Sequence, residues 1–145
     1  MSDLSTATIS IDAPLAAVTE ILFALEKYPE WSSSIKAVDV IDRDEQGRVT
    51  KAKMTIDAGM MKDRVILDYD WSKSPSVLSF SLDDADLLTA MDGSYELKSI
   101  DEDTTSATYS LTVDLSMPIP SMMRKKAEKA TIDQALAQLK AVLEA

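Results

Sequence analysis

Between residues 35 and 115 the chain repeatedly alternates apolar with polar residues, in runs joined by turns too short to carry the chain across a sheet. This period of two is typical of strands with one buried face, and short turns join antiparallel neighbours. We therefore predict an antiparallel meander of six successive strands, preceded by one further strand near the N-terminus. The predicted strands are Thr6–Asp12, Ile35–Arg43, Val49–Ala58, Arg64–Trp71, Val77–Leu82, Leu87–Ile100 and Thr104–Leu115.

Glycine, proline and clustered acidic residues mark the predicted turns between these strands. The sixth strand is expected to be interrupted at Asp92-Gly93. The predicted turns are Gln46-Gly47, Gly59–Met61, Ser74–Ser76, Asp83–Asp86 and Asp101–Asp103.

Helical spacing of apolar residues occurs in two other parts of the chain. The stretch Leu15–Ala24 repeats apolar residues every three or four positions, which is typical of an amphipathic helix. The helix should break at Tyr28-Pro29, because the residue before a proline avoids helical geometry, and then restart briefly. The stretch after Ser121, a plausible cap, is rich in good helix formers. At roughly 25 residues it would be about 37 Å long.

A meander with one apolar face needs a cover, and the long terminal helix is able to supply it. A twisted sheet curls around such a helix, which leaves space between the two layers. We therefore predict one α+β domain over residues 1–145. In it, a curved sheet of about seven strands wraps around the C-terminal helix, with two short helices after the first strand and a pocket for an apolar small molecule.

Composition excludes several classes of function. The chain has no cysteine and no histidine, which removes disulfides, thiol chemistry, the commonest metal ligand and the commonest general base. The net charge of -10 argues against nucleic-acid binding, which needs a basic surface. No secretion signal and no apolar run long enough to span a membrane are apparent. A cytoplasmic protein without a metal or cofactor is predicted.

Three short motifs carry a family resemblance. They are Tyr28-Pro29-Glu30-Trp31, Asp92–Leu97 and Pro118–Ser121 followed by Arg124–Glu128. With the order of elements, these motifs resemble the SRPBCC superfamily over about Ser5 to Leu143. The most similar branch is the actinobacterial polyketide cyclase/dehydrase and lipid-transport group, related to coenzyme-Q-binding proteins. The resemblance implies the helix-grip fold of START domains and the birch pollen allergen family, with a hydrophobic pocket between sheet and helix.

The pocket should be lined by alternate strand residues and by the inner face of the terminal helix. A register slip of one residue would move a strand's whole set to the other face. Trp31 is expected to form part of a lid. The predicted ligand-binding residues are Met54, Val65, Leu67, Tyr69, Trp71, Phe80, Met91, Tyr95, Tyr109, Leu111, Met123 and Ala127.

Three functions remain open. The first is binding or transfer of a lipid, polyketide or quinone-like molecule, and no catalytic residue is assigned. The second is a polyketide cyclase or dehydrase using Tyr, Asp or Arg as acid and base. Arg64, Asp68 and Asp70, however, share the strand face opposite the apolar one, so a solvated role is favoured. The third is an interaction module whose pocket is filled by its own side chains.

The start of the terminal helix is basic and apolar in an otherwise acidic chain. Met122 and Met123 precede Arg124, Lys125 and Lys126. Such a segment suits transient docking to a membrane or protein with anionic groups. Alternatively, these cations pair with the protein's own surplus carboxylates. Both interpretations are open, as is the choice between a monomer and a homodimer.

Overall fold

The computed structural model describes residues 5–57, 62–116 and 119–144. The predicted turn at Gly59–Met61, together with Met117 and Pro118, lies outside the described residues.

Seven strands form one antiparallel sheet in the order β1-β7-β6-β5-β4-β3-β2. Strands β2 to β7 make the predicted meander, and β1 returns to pair with β7 through a register of Ile9 opposite Ala107. The strands are β1 Ser5–Ile11, β2 Ile35–Arg43, β3 Val49–Asp57, β4 Lys62–Asp70, β5 Val77–Ala85, β6 Leu88–Asp101 and β7 Thr104–Leu115. The sheet is open, and the predicted helix-grip fold is confirmed.

The helices follow the predicted plan with three differences. The helices are α1 Leu15–Leu22, α2 Tyr28–Trp31 and α3 Ser121–Leu143, with a single 3-10 turn at Leu25–Lys27 between α1 and α2. The first helix ends at Leu22, with Phe23 as its C-cap, before the predicted break. Tyr28, predicted to be non-helical, is the first residue of α2, and Pro29 lies in the first turn, where a missing N–H costs nothing. Ser121 is the first residue of α3 and makes no capping bond, since Pro120 occupies the cap position.

Two predictions about where the strands are interrupted are wrong. Both errors involve the pairing of β5 with its neighbouring strands. The predicted acidic turn at Asp83–Asp86 is wrong, because β5 continues to Ala85 opposite Val65. The buried carboxylate of Asp63 accepts the backbone N–H groups of Asp86, Leu87 and Leu88 at 2.9–3.2 Å, which places the turn there instead.

The second wrong prediction is the interruption of β6 at Asp92-Gly93. Gly93 lies within the strand, opposite Phe80 on β5. A Cβ at this position would lie 2.3 Å from Cζ of Phe80. Glycine is therefore required here because the phenyl ring packs directly on the backbone of β6.

The core lies between the concave face of the sheet and α3. Buried side chains of α3 at Ile132, Leu136 and Leu139 recur every three or four residues, and the inner positions of the strands are buried in alternation. Each fully buried aliphatic side chain contributes about 1.5–3 kcal/mol through removal from water. No helix within the described residues is long and apolar enough to cross a membrane.

One buried charge attaches α3 to the sheet. Glu128 is 1% exposed. Its Oε1 accepts a hydrogen bond from the hydroxyl of Ser5 on β1, and its Oε2 accepts one from the N–H of Val113 on β7, both at 2.7 Å. Arg124, one turn earlier, lies 3.9 Å from Oε2. Val113 lies two residues beyond Leu111, the residue of β7 opposite Ser5, and within the described part of the chain Glu128 accepts its N–H.

Replacing Glu128 by alanine should lower the free energy of unfolding by about 3 kcal/mol, because the N–H of Val113 would be buried without an acceptor. Urea unfolding followed by circular dichroism measures the change. The matched control is Asp133→Ala on the exposed side of α3, which removes only an ion pair with Lys129 and should cost less than about 0.5 kcal/mol. Equal losses in the two variants would contradict the anchoring role of Glu128.

Candidate functional site

All four tyrosines of the chain are buried and meet in one interior cavity between the sheet and the helices. Tyr28 comes from the start of α2, Tyr69 from β4, Tyr95 from β6 and Tyr109 from β7. Tyr95 and Tyr109 are directly opposite each other in the β6–β7 register. The strand alternation thus turns three tyrosines inward, and the Tyr-Pro step of α2 adds the fourth from above.

The space at this point is small. The tyrosine cavity has a volume of about 50 Å³ and is lined by Tyr28, Ile35, Met54, Ile56, Leu67, Tyr69, Phe80, Met91, Tyr95 and Tyr109. A second cavity of about 50 Å³ adjoins it. Its lining shares six of these residues and adds Trp31, Ser32, Ser34, Thr131 and Ala135. Pockets for drug-sized ligands are roughly 300–1,000 Å³, so a larger molecule has to displace side chains in order to bind.

Aromatic rings make up much of the lining. The rings of Tyr95 and Tyr109 stack with centroids 4.2 Å apart and planes 17° apart. Phe80 lies 5.7 Å from Tyr69 and 6.4 Å from Tyr109. Such rings offer a flat apolar surface with hydroxyl groups at its edge. This arrangement suits an aromatic or polycyclic ligand.

The phenol groups differ in how their hydroxyls are used. Tyr28 donates to the carbonyl of Leu22, whereas Tyr95 and Tyr109 contact each other through their stacked rings. Within the part of the chain that the structure describes, the hydroxyl of Tyr69 contacts the thioether sulfur of Met54, at 3.8 Å, which is a weak acceptor. Burial raises the pKa of all four tyrosines above the ordinary value. They are therefore neutral hydrogen-bond donors at neutral pH.

These raised pKa values predict a loss of stability in alkali. Above about pH 10 the unfolded chain releases tyrosine protons that the folded protein retains, so the free energy of unfolding falls as the pH rises. The slope should be about 1.4 kcal/mol per pH unit for each tyrosine. Urea unfolding and tyrosinate absorbance between about pH 8 and pH 11 measure it. Tyr69→Phe should remove one tyrosine's share of the slope; tyrosines that titrate near pH 10 in the folded protein would contradict the prediction.

The predicted ligand-binding residues separate into three groups. Met54, Leu67, Tyr69, Phe80, Met91, Tyr95 and Tyr109 line the tyrosine cavity. Val65, Trp71 and Leu111 are buried in the core but line neither cavity. Met123 is 49% exposed and Ala127 is half-buried, and they too line neither cavity. Binding by any of them stays a prediction.

The register of α3 explains the placement of the two helix residues. Met123 precedes Glu128 by five residues, which puts it roughly 140° around the helix from the buried carboxylate. The helix residues that line the second cavity are instead Thr131 and Ala135, one and two turns after Ala127. The sequence analysis missed these two residues, together with Tyr28, Ile35 and Ile56 as lining residues. Ile56 shares the inward face of β3 with Met54 and was recognisable from that alternation.

The two tryptophans have different environments. Trp71 donates its indole N–H to the carbonyl of Val49 at 2.7 Å and packs edge-on against Phe23, with ring centroids 5.1 Å apart. Trp31, predicted as part of a lid, lines the second cavity. Trp71 therefore has a packing role, whereas Trp31 borders the second cavity.

The charged residues considered for catalysis lie on the outer face of β4. Arg64 and Asp70 are exposed and Asp68 is half-buried. Arg64 pairs with Asp86 at 3.2 Å, and Asp68 is 3.6 Å from Lys51. This placement is the predicted solvated strand face. Among the described residues, no carboxylate, lysine or arginine lines either cavity.

The basic start of α3 combines features of both interpretations given above. Met122 is 80% exposed, and Lys125 and Lys126 are exposed beside it. Arg124, in contrast, turns inward to Asp114 at 3.5 Å and to the buried carboxylate of Glu128. Docking through Met122, Met123 and the neighbouring lysines stays a prediction.

The sequence model of a family described as polyketide cyclase / dehydrase and lipid transport matches residues 4–144. The chain belongs to this family. The predicted SRPBCC membership is thereby confirmed.

Solved structures share the fold of this chain at low sequence identity. A START superfamily protein from Mycobacterium smegmatis is 20% identical, with a TM-score of 0.93 over 99% of this chain and 98% of that one. A protein from Thermus thermophilus is 19% identical, with a TM-score of 0.81 over 98% and 97% of the two chains. An aromatase/cyclase from a Streptomyces species is 15% identical, with a TM-score of 0.74 over 98% and 92%. No curated protein sequence matches the chain.

Proposed function

We propose that the protein binds a hydrophobic small molecule, lipid, polyketide or quinone-like, between the sheet and α3, and holds or transfers it without chemical change. The observation that carries this proposal is the lining of the two cavities. The lining combines stacked aromatic rings with apolar side chains and neutral hydroxyls. Ligand sites are typically apolar surfaces with a few polar groups that orient the ligand, which is the composition found here.

Electrostatics favours binding over catalysis. General acid–base chemistry needs a group that both gives and takes a proton near the working pH. The tyrosines of the lining have raised pKa values, so they donate hydrogen bonds but do not act as bases. Arg64, Asp68 and Asp70 of β4 lie on the other face of the sheet, and the buried carboxylate of Asp63 is occupied by the backbone N–H groups of the turn before β6.

The family description and the likeness to an aromatase/cyclase support a second candidate, a polyketide cyclase or dehydrase. In that case the phenols of Tyr69 and Tyr95 would donate hydrogen bonds to substrate oxygens, and a base would have to come with the substrate or from outside the two cavities. The small volume supports a third candidate, a module that binds no ligand because its own side chains fill the interior.

Mass spectrometry of the protein purified from its own source distinguishes the three. A native mass that exceeds the denatured mass is expected, and organic extraction should then identify an apolar molecule. Incubation of that molecule with the protein should return it unchanged if the protein is a carrier, whereas a new product would favour the cyclase. The absence of both an adduct and a shift in melting temperature across a panel of lipids and polyphenols would favour the module without a ligand.

Filling the cavity from the helix side provides a matched test. Ala135 lines the second cavity, so Ala135→Leu should occupy that space and weaken ligand binding at least tenfold, with little loss of stability because the added atoms replace empty volume. Ala137→Leu, on the exposed side of the same helix, should bind like the parent protein. Thermal-shift titration with the extracted molecule measures both. Unchanged binding in Ala135→Leu would contradict this location of the site.

A further inference from the structure

The indole nitrogen of Trp31 is buried and has no hydrogen-bond acceptor among the described residues. Folded proteins rarely leave a buried donor unpaired, because desolvation is then uncompensated. Donors of this kind occur where a water molecule or a ligand completes the site. Trp31 is the last residue of α2 and packs edge-on against Tyr28, with ring centroids 5.2 Å apart.

The residue that carries the unpaired donor lines the second cavity. Trp31 lines this cavity together with Thr131 and Ala135 of α3. Tyr28, Tyr95 and Tyr109 line both cavities. A molecule whose ring system lies against the stacked tyrosines therefore has its edge beside Trp31.

Two of the other side-chain donors around the cavity already have acceptors. The hydroxyl of Thr131 donates to the carbonyl of Ala127 at 2.9 Å, and that of Tyr28 donates to the carbonyl of Leu22. Ser32 and Ser34 also line the cavity, and their hydroxyls can both donate and accept. Among the described residues, the indole N–H of Trp31 is the buried side-chain donor that has no acceptor. An indole donates and does not accept, so the group opposite it has to be an acceptor.

Trp71 provides the internal comparison. Its N–H is paired with the carbonyl of Val49 at 2.7 Å, so a tryptophan that serves packing in this fold has a protein acceptor. Because the chain has only these two tryptophans, each can be replaced and observed separately.

We propose that Trp31 is a specificity-determining residue that selects ligands with a carbonyl oxygen at the edge of an aromatic ring system. The indole N–H donates to this oxygen while the rings of the ligand lie against Tyr95 and Tyr109. This assignment rests on the proposed function, since it names the chemical class of molecule that the same site takes. The competing occupant is water, because about 50 Å³ is enough for one water molecule.

Two small probes that differ by one oxygen separate these possibilities. 1-Indanone carries a carbonyl on the ring system of indane. Isothermal titration should give a higher affinity for 1-indanone, and the preference should fall about tenfold in Trp31→Phe, which keeps an aromatic ring but removes the donor. Affinity for indane should be unchanged. In Trp71→Phe the preference for the ketone should be retained, even where stability is lower.

Nuclear magnetic resonance of the ¹⁵N-labelled protein observes the bond directly. The two indole N–H signals are assigned by the two variants, and 1-indanone should move the Trp31 signal downfield while indane leaves it in place. Equal binding of both probes, with an unmoved Trp31 signal, would overturn the role of Trp31 and leave apolar binding intact. Failure of both probes to bind would overturn the binding function and, with it, this assignment.

Discussion

The buried carboxylate of Glu128 fixes how the long helix lies on the sheet. A carboxylate without water has to be held by hydrogen bonds, and Glu128 finds them on β1 and on β7. These two hydrogen bonds fix the rotation of α3 about its own axis. In that orientation Ile132 and Leu136 enter the core, and Ala135 faces the second cavity. The shape of the candidate site thus depends on a polar contact that lies outside it.

The site combines close packing with incomplete polar pairing. The stacked tyrosines and Phe80 fill most of the interior, and Phe80 reaches its position only because Gly93 lets the ring approach the backbone. Two donors remain poorly used, the hydroxyl of Tyr69 and the indole N–H of Trp31. If packing were the only requirement, apolar side chains would be favoured at both positions, because a buried donor without an acceptor lowers the stability of the fold. Function is the simplest reason to retain them.

Strand alternation allowed the sheet and most inward-facing residues to be predicted, because a period of two is a local property of the chain. Met54, Tyr69 and Tyr109 were placed by that argument alone. The errors came from contacts between distant residues. The turn before β6 depends on Asp63 of β4. The face that α3 turns to the sheet depends on Ser5 and Val113, so the exposure of Met123 was not evident from the sequence. The unpaired indole N–H of Trp31 could not be predicted, because no sequence pattern shows which hydrogen-bond acceptors surround a side chain in the fold.

Strand β2 is one free edge of the open sheet. Its pairing with β3 is irregular near Ile35 and twice between Val40 and Arg43, and exposed Lys36, Asp39 and Asp42 interrupt its apolar residues. Bulges bend an edge away from a flat template, and charges oppose the approach of another strand. The β2 edge therefore offers a poor surface for chain-to-chain polymerisation.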